Sequence, residues 1–203
     1  MFFLLSHLAA LAIESGPALC AQRSGRDVGA LLAVDVRVIS QVRLDVTLDA
    51  KPERVALLGK SDSDGVIVPQ ALAVVAGEKP VTLLDSVWLP TGAATTVTLL
   101  SSGRDLDGDG KVEIVLEATT KGPGLVQNTT YFYRVQGGRL ILTYSLASST
   151  ERGGEREKRT LIRSGPDGIV ERIEKRSGAW DASLHLGADG QYLPGVVVRS
   201  GQR

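Results

Sequence analysis

Apolar and polar residues alternate along most of this chain after Val28, and this is the spacing of side chains on the two faces of a β-strand. The clearest run covers residues 41–49, where the apolar positions are Val42, Leu44, Val46 and Leu48. A second run has its apolar positions at Val34, Val36 and Val38. One-sided alternation predicts half-buried antiparallel strands, so these two runs predict a strand pair.

Similar runs predict further strands over residues 54–58, 65–75, 81–89, 95–100, 111–118, 129–135, 139–146, 158–163, 168–175 and 196–198. Gly137 and Gly138 separate two of these runs, and glycine tolerates the positive φ angles of a tight hairpin turn. Helical stripes are scarce. The chain is therefore predicted to be all-β, with antiparallel sheets in blade-like units of an incomplete propeller-like fold. A two-layer β-sandwich is the alternative.

The N-terminal end has a different pattern, because residues 1–13 are almost entirely apolar. This length suits the hydrophobic region of a signal peptide and falls short of the roughly 20 residues of a transmembrane helix. Small residues precede Ala21 and indicate cleavage there. Residues 1–20 are therefore predicted to be a signal peptide, and residues 21–203 a single all-β calcium-binding domain, for the reasons given below.

A lipid anchor on Cys20 is the less favoured route of export. Pro17 stands where a lipoprotein signal usually has Leu, and Leu19 stands where it usually has a small residue. No Lys or Arg precedes the apolar run, which leaves a misplaced start or an ordinary buried helix as alternatives. The predicted location is secreted, periplasmic or at the cell surface, with no integral membrane span in the mature chain.

Charge and composition narrow the range of functions. Lys+Arg and Asp+Glu both total 23, so the formal net charge is +0 and no overall field attracts nucleic acid or an anionic membrane. The histidines are His7 and His185, and Cys20 is the single cysteine, which argues against a zinc site or an intrachain disulfide. His185 alternates with Leu184 and Leu186 and has no catalytic motif beside it, so it is predicted to be an ordinary surface residue.

The most specific chemical signal lies in residues 105–113, called the acidic loop below. Its carboxylates occupy positions 1, 3, 5 and 9 of the loop, namely Asp105, Asp107, Asp109 and Glu113. Gly110 permits a sharp turn that brings the Lys111 carbonyl inward as a further ligand. Ca²⁺ takes roughly six to eight oxygen ligands, and neighbouring aspartates repel one another without a cation. The loop is therefore predicted to bind Ca²⁺, and a solvated acidic turn without metal is the alternative.

The acidic loop differs from an EF-hand, because Leu116 occupies the position of the bidentate Glu and an alternating run follows instead of a helix. The sequence DLDGDGKVEIV is similar to the calcium loop of FG-GAP and VCBS repeats, the blades of integrin-like β-propellers. The resemblance implies side-chain ligands from Asp105, Asp107, Asp109 and Glu113, together with the Lys111 carbonyl. It also implies recognition of a protein or glycan at the cell surface or outside the cell.

Other Asp-Gly turns resemble parts of the acidic loop. Asp62 and Asp64 supply two acidic positions, and residues 167–171, which start at Asp167, agree with residues 109–113 at four of five positions. This agreement leaves an internal duplication open. A plain turn is the preferred interpretation of the Asp62 segment, and a degenerate copy without an ion is the preferred interpretation of residues 167–171. A weak second ion remains an alternative.

Together these features predict an exported calcium-binding β module with a binding or structural role. A secreted carbohydrate-active hydrolase with paired carboxylates is the alternative, because such residues come together only in the folded chain. Trp88 and Trp180 are predicted to be core residues, since aromatic residues make up only 4% of the chain.

Overall fold

The computed structural model of the protein describes residues 36–77, 82–89, 95–163, 169–188 and 190–200. The predictions for the signal peptide, for Cys20 and for Asp167 lie outside these ranges. The first valine of the predicted N-terminal strand pair, Val34, lies outside them as well.

Every helix or strand in the described ranges is a β-strand, and the strands form two antiparallel sheets. The four-stranded sheet contains β1 (Val36–Leu44), β2 (Glu53–Ser61), β3 (Ile67–Ala76) and β4 (Thr82–Trp88). The eight-stranded sheet contains β5 (Thr95–Leu99), β6 (Ile114–Gly122), β7 (Leu125–Gln136), β8 (Arg139–Arg152), β9 (Glu155–Arg163), β10 (Ile169–Lys175), β11 (Gly178–Leu186) and β12 (Tyr192–Arg199). The prediction of an all-β antiparallel fold is confirmed.

Within each sheet, neighbouring strands are also neighbours in sequence, so each sheet is a meander of hairpins. Short glycine turns explain two of the connections. Gly137 and Gly138 join β7 to β8 with φ angles of 58° and 76°, as predicted. Gly153 and Gly154 join β8 to β9 with φ angles of 58° and 83°. The Gly-Gly pairs therefore determine where these two hairpins of the eight-stranded sheet reverse.

The two sheets pack face to face through one hydrophobic cluster. Segments of the four-stranded sheet contribute Val46, Val55, Leu57, Leu72, Val74, Val87 and Leu89, and segments of the eight-stranded sheet contribute Leu99, Ile114, Leu116, Tyr133 and Leu140. Burial of these side chains is the main force that holds the sheets together. Neither sheet closes into a barrel, and the two packed layers correspond to the sandwich alternative of the fold prediction.

The opposite face of the eight-stranded sheet carries a second cluster, made by Leu106, Val115, Phe132, Leu146, Ile169, Leu184 and Tyr192. The face is opposite because Val115 alternates along β6 with Ile114 and Leu116, which belong to the cluster between the sheets. Cluster members come from β6 near one edge and from β12 at the other edge. The sheet therefore curves around this cluster and brings distant strands together.

The predicted N-terminal strand pair is wrong, because the described parts of both runs belong to one strand, β1, which pairs with β2. The predicted strand over residues 41–49 is also wrong at its C-terminal end. β1 ends at Leu44, and the chain then turns, with Leu48 and Ala50 both at a φ of 63°. Residues other than glycine rarely adopt this left-handed backbone conformation. The alternating pattern therefore predicted a strand where the chain forms a loop. The pairing of β1 with β2 places Leu44 opposite Glu53, which makes residues 45–52 the connection of a hairpin.

Three isolated residues show where the burial predictions succeed and fail. Trp88 was predicted to be a core residue, but it is 42% exposed because it ends an edge strand of the four-stranded sheet. Trp180 is only partly buried. His185 is exposed beside the buried Leu184, in agreement with its predicted place on a polar face.

Candidate metal site

The acidic loop joins β5 to β6, and a β-bridge between Arg104 and Glu113 closes its base. The Arg104 N–H donates to the Glu113 carbonyl at 2.9 Å, and the Glu113 N–H donates to the Arg104 carbonyl at 2.7 Å. Leu106 is only 6% exposed and packs in the cluster of the curved sheet. The bridge therefore fixes the base of the loop, and the buried leucine holds the loop against the sheet.

Two glycines allow the loop to fold back on itself. Gly108 and Gly110 have φ angles of 77° and 85°, in the left-handed region that glycine occupies without strain. A side chain at Gly110 would meet no atom nearby, so backbone conformation, and not space, requires glycine there. The sharp turn predicted at Gly110 is present.

The aspartates of the loop turn their carboxylates towards its own N–H groups. Asp105 accepts a hydrogen bond from the Gly110 N–H at 3.2 Å. Asp107 accepts one from the Asp109 N–H at 3.1 Å, and Asp109 accepts one from the Lys111 N–H at 2.8 Å. One oxygen from each of the three aspartates lies within 4.8 Å of the other two. This group of three carboxylates could hold a metal ion.

Glu113, the fourth predicted carboxylate ligand, does not belong to that group. It is completely buried, and its Oε2 accepts a hydrogen bond from the Leu106 N–H at 2.7 Å. Its Oε1 accepts one from Arg134 Nε at 2.9 Å. The Lys111 side chain lies 3.1 Å from Asp109 Oδ2. Metal ligation by Glu113 and by the Lys111 carbonyl stays a prediction.

Arg134 on β7 is the main residue of the site that the sequence analysis missed. Its side chain is 7% exposed and forms an ion pair with Glu113. Its Nη2 lies 3.1 Å from Asp107 Oδ2, and its Nη1 lies 3.2 Å from Asp109 Oδ2. The signal available in the sequence was the two-residue period of a β-strand, which places Arg134 on the same face as the buried Phe132. A cation on a core-facing position requires a buried partner.

Tyr192 on β12 is the second residue that the sequence analysis missed. Its hydroxyl donates a hydrogen bond to Asp107 Oδ2, although the two residues are 85 positions apart in sequence. Tyr192 is 7% exposed and belongs to the cluster of the curved sheet. The curvature of the eight-stranded sheet, which alternation does not encode, brings this edge strand to the acidic loop.

Burial and hydrogen bonding shift the pKa values of the site in different directions. Burial acts to raise the pKa of Asp107, but hydrogen bonds, led by that of Tyr192, and the charge of Arg134 lower it to about 2. Burial raises the pKa of Glu113, against the hydrogen bonds that its carboxylate accepts. Burial acts to lower the pKa of Arg134, but its carboxylate partners raise it above its usual value.

The charges of the loop and its partners do not balance. The loop carries four carboxylates, and in the described ranges the cationic side chains paired with them are Lys111 and Arg134. With all of these groups ionised, two negative charges are uncompensated. A divalent cation at the three aspartates would supply that missing charge.

The turn at Asp62 has a simpler arrangement. Asp62 Oδ1 accepts hydrogen bonds from the N–H groups of Asp64 and Val66, both at 2.9 Å, in an exposed turn between β2 and β3. Within the described ranges, no third ligating side chain joins these two aspartates in a metal-binding group. The geometry is that of a side-chain-stabilised turn.

A scan against protein-family models and searches of curated proteins and solved structures found no match to this chain. The resemblance to FG-GAP and VCBS repeats therefore rests on the acidic loop alone. In the part of the chain that the structure describes, no helix has the length and apolar character needed to cross a membrane.

Proposed function

We propose that this protein is an exported calcium-binding β module that has a binding or structural role at the cell surface or outside the cell. The observation that carries the calcium assignment is the convergence of Asp105, Asp107 and Asp109 within 4.8 Å of one another. The two uncompensated negative charges of the site support a divalent ion. The buried anchor Leu106 supports a loop whose shape exists before the ion arrives.

Calcium is favoured over other divalent ions by the chemistry of the ligands. The converging groups are carboxylates, and hard oxygen donors suit Ca²⁺ and Mg²⁺ better than they suit zinc or copper. Mg²⁺ demands a near-ideal octahedron and retains several waters, whereas Ca²⁺ accepts irregular loops with longer bonds. The positive charge of Arg134 opposes a second cation, so we expect a dissociation constant of about 10⁻⁴–10⁻³ M, as in extracellular modules.

The binding or structural role is preferred to the hydrolase alternative because two buried glutamates, one at the end of the acidic loop and one on β10, are held by other side chains. Glu113 is paired with Arg134. Glu171 accepts hydrogen bonds from the Tyr144 hydroxyl at 2.6 Å and from Arg159 at 2.9 Å. A retaining or inverting hydrolase needs two carboxyl groups that face a bound sugar from opposite sides. These two glutamates are engaged in structural pairs instead.

Calcium binding should be detected by isothermal titration calorimetry and should raise the melting temperature. Ca²⁺ at 100 times its dissociation constant stabilises the folded state by about 2.7 kcal/mol if the unfolded chain does not bind it. Asp109→Ala removes a ligand, whereas Asp107→Asn retains one carbonyl oxygen, so Asp109→Ala should weaken binding more. Asp64→Asn removes an equal charge from an exposed turn and is the matched control.

The calcium assignment would be refuted by two results together. These are no calorimetric signal for calcium in the unchanged protein, and equal melting temperatures in chelator and in calcium at 100 times the expected dissociation constant. Equal loss of binding in the Asp64→Asn control and in Asp109→Ala would show that net charge, and not the acidic loop, determines binding.

Export is proposed from the apolar residues 1–13 and the small residues before Ala21. Mass spectrometry of the protein purified from its native source should find an N-terminus close to Ala21. A lipid-modified Cys20 would replace the proposed signal peptidase cleavage by the lipoprotein route. Recovery of the intact chain beginning at Met1 would overturn the proposal of export by a cleaved signal.

A further inference from the structure

Residues 45–53, which comprise the connection between β1 and β2 and the first residue of β2, have a residue pattern similar to that of the acidic loop. The two loops share Asp at positions 1 and 5, Lys at position 7, Glu at position 9 and an aliphatic residue at position 2. Thr47 takes the place of Asp107, and Leu48 and Ala50 take the places of the two glycines. The alternation that predicted a strand over residues 41–49 concealed this second copy.

The backbones of the two loops turn at equivalent positions. Leu48 and Ala50 both have a φ of 63°, and their counterparts Gly108 and Gly110 have φ angles of 77° and 85°. Leu48 and Ala50 are the non-glycine residues with positive φ in the described part of the chain. The side chains at these positions carry a strain that glycine avoids in the acidic loop.

The hydrogen bonds of the second loop repeat those of the first. The Val46 N–H donates to Glu53 Oε2 at 3.0 Å, the Ala50 N–H donates to Asp45 Oδ2 at 3.1 Å, and the Lys51 N–H donates to Asp49 Oδ1 at 2.8 Å. The equivalent bonds of the acidic loop end on Glu113 Oε2, Asp105 Oδ2 and Asp109 Oδ1. Val46 and Glu53 are 5% and 3% exposed, as buried as their counterparts.

One carboxylate oxygen of the second loop is buried without a hydrogen-bond donor. Asp45 Oδ1 exposes less than 1 Å² to solvent and has no hydrogen-bond donor in the described structure. The carboxylate faces the inside of the loop, because its other oxygen accepts the Ala50 N–H. A buried carboxylate oxygen without a partner costs free energy unless a donor or a cation meets it.

We infer that residues 45–53 form a second Ca²⁺ site, in which Asp45, the Thr47 hydroxyl and Asp49 provide oxygen ligands. The Thr47 hydroxyl donates to Glu53 Oε1 at 2.8 Å, which leaves its oxygen lone pairs available to a cation. The site has one carboxylate fewer than the acidic loop, so its affinity for calcium is lower.

Residue-resolved NMR of the ¹⁵N-labelled full chain during a CaCl₂ titration tests this inference and the proposed function separately. Each loop has its own reporters, such as the amides of Ala50 and Gly110, which donate to Asp45 and Asp105. The expected result is a shift of the amides in both loops, with a higher calcium midpoint for residues 45–53.

The pattern of shifted amides decides separately whether each loop binds calcium. Shifts confined to residues 105–113 would overturn the second site and leave the proposed function standing. Shifts confined to residues 45–53 would support the second site and overturn the assignment of the acidic loop. Shifts in neither loop would overturn both.

Two variants separate ligation from a general charge effect. Asp45→Asn keeps an acceptor for the Ala50 N–H, and it should raise the calcium midpoint of residues 45–53 about tenfold, equivalent to about 1.4 kcal/mol, without moving that of the acidic loop. Asp49→Asn should have a similar effect. Asp64→Asn, in an exposed turn, is the control and should change neither midpoint. Unchanged midpoints in both loop variants would overturn the second site.

Discussion

Arg134→Met should lower the free energy of unfolding by about 3–5 kcal/mol in metal-free buffer, because it leaves a buried carboxylate without its counter-charge. Glu113 is completely buried, and the side chain of its partner Arg134 is 7% exposed. The guanidinium also pairs with Asp107 and Asp109, so its loss increases the repulsion between the carboxylates of the site. Urea unfolding of the variant and the unchanged protein measures the difference.

The double variant Arg134→Met with Glu113→Gln distinguishes an unpaired buried charge from a simple loss of packing. Gln at position 113 is neutral and keeps an acceptor for the Leu106 N–H, so it should recover part of the lost stability. Arg172→Met is the control, because Arg172 pairs with Asp181 with its side chain 37% exposed and should matter much less. Equal losses in Arg134→Met and Arg172→Met would contradict the buried pair.

The same variant connects stability to the proposed calcium site. Removing the Arg134 charge should tighten calcium binding to the acidic loop, because a cation beside Asp107 and Asp109 opposes a second cation. Calcium should therefore return more stability to Arg134→Met than it adds to the unchanged protein. If calcium stabilised both proteins equally, Arg134 would have no influence on calcium binding by the acidic loop.

Leu106→Ala should lower the free energy of unfolding by about 2–5 kcal/mol, the usual cost of truncating a buried leucine. Leu106 is 6% exposed and is the residue that anchors the acidic loop in the cluster of the curved sheet, with Phe132 and Tyr192. Because the anchor also positions the aspartates beside it, the variant should bind calcium more weakly than the unchanged protein. Chemical denaturation and calorimetry measure the two effects.

Leu186→Ala is the matched control for this truncation. Leu186 lies on β11 and is 51% exposed, so the same change should cost little. A loss of stability in Leu106→Ala no larger than that in Leu186→Ala would show that the acidic loop is not anchored in the core. Unchanged calcium affinity in a destabilised Leu106→Ala would show that the anchor holds the loop without shaping the site.

The all-β antiparallel architecture was predictable because its causes are local. Alternation places apolar residues on one face of each strand, and Gly-Gly pairs such as Gly137 and Gly138 specify where hairpins reverse. The three aspartates of the acidic loop were predictable for the same reason. Their convergence depends on spacing within nine residues and on a glycine turn, not on distant strands.

Local alternation was misleading where apolar side chains serve a loop. Val46 follows the period of β1, but it is buried as the anchor of residues 45–53, and Leu48 turns with a positive φ. Only the backbone angles and the hydrogen bonds to Glu53 showed that this segment is a second loop. The residue pattern of the acidic loop is present in residues 45–53, but Leu48 and Ala50 stand in place of its two glycines, which are its most visible signal.

The sequence alone determined the strands, the hairpins and the acidic carboxylates, because each depends on neighbours in the chain. The tertiary structure decided the remaining partners of the site: Arg134 reaches it from β7, and Tyr192 reaches it from β12, 85 positions from Asp107. It also placed Glu113 in a buried ion pair. These contacts depend on how far the eight-stranded sheet curves, and that curvature results from packing across the whole cluster and not from the pattern of any single strand.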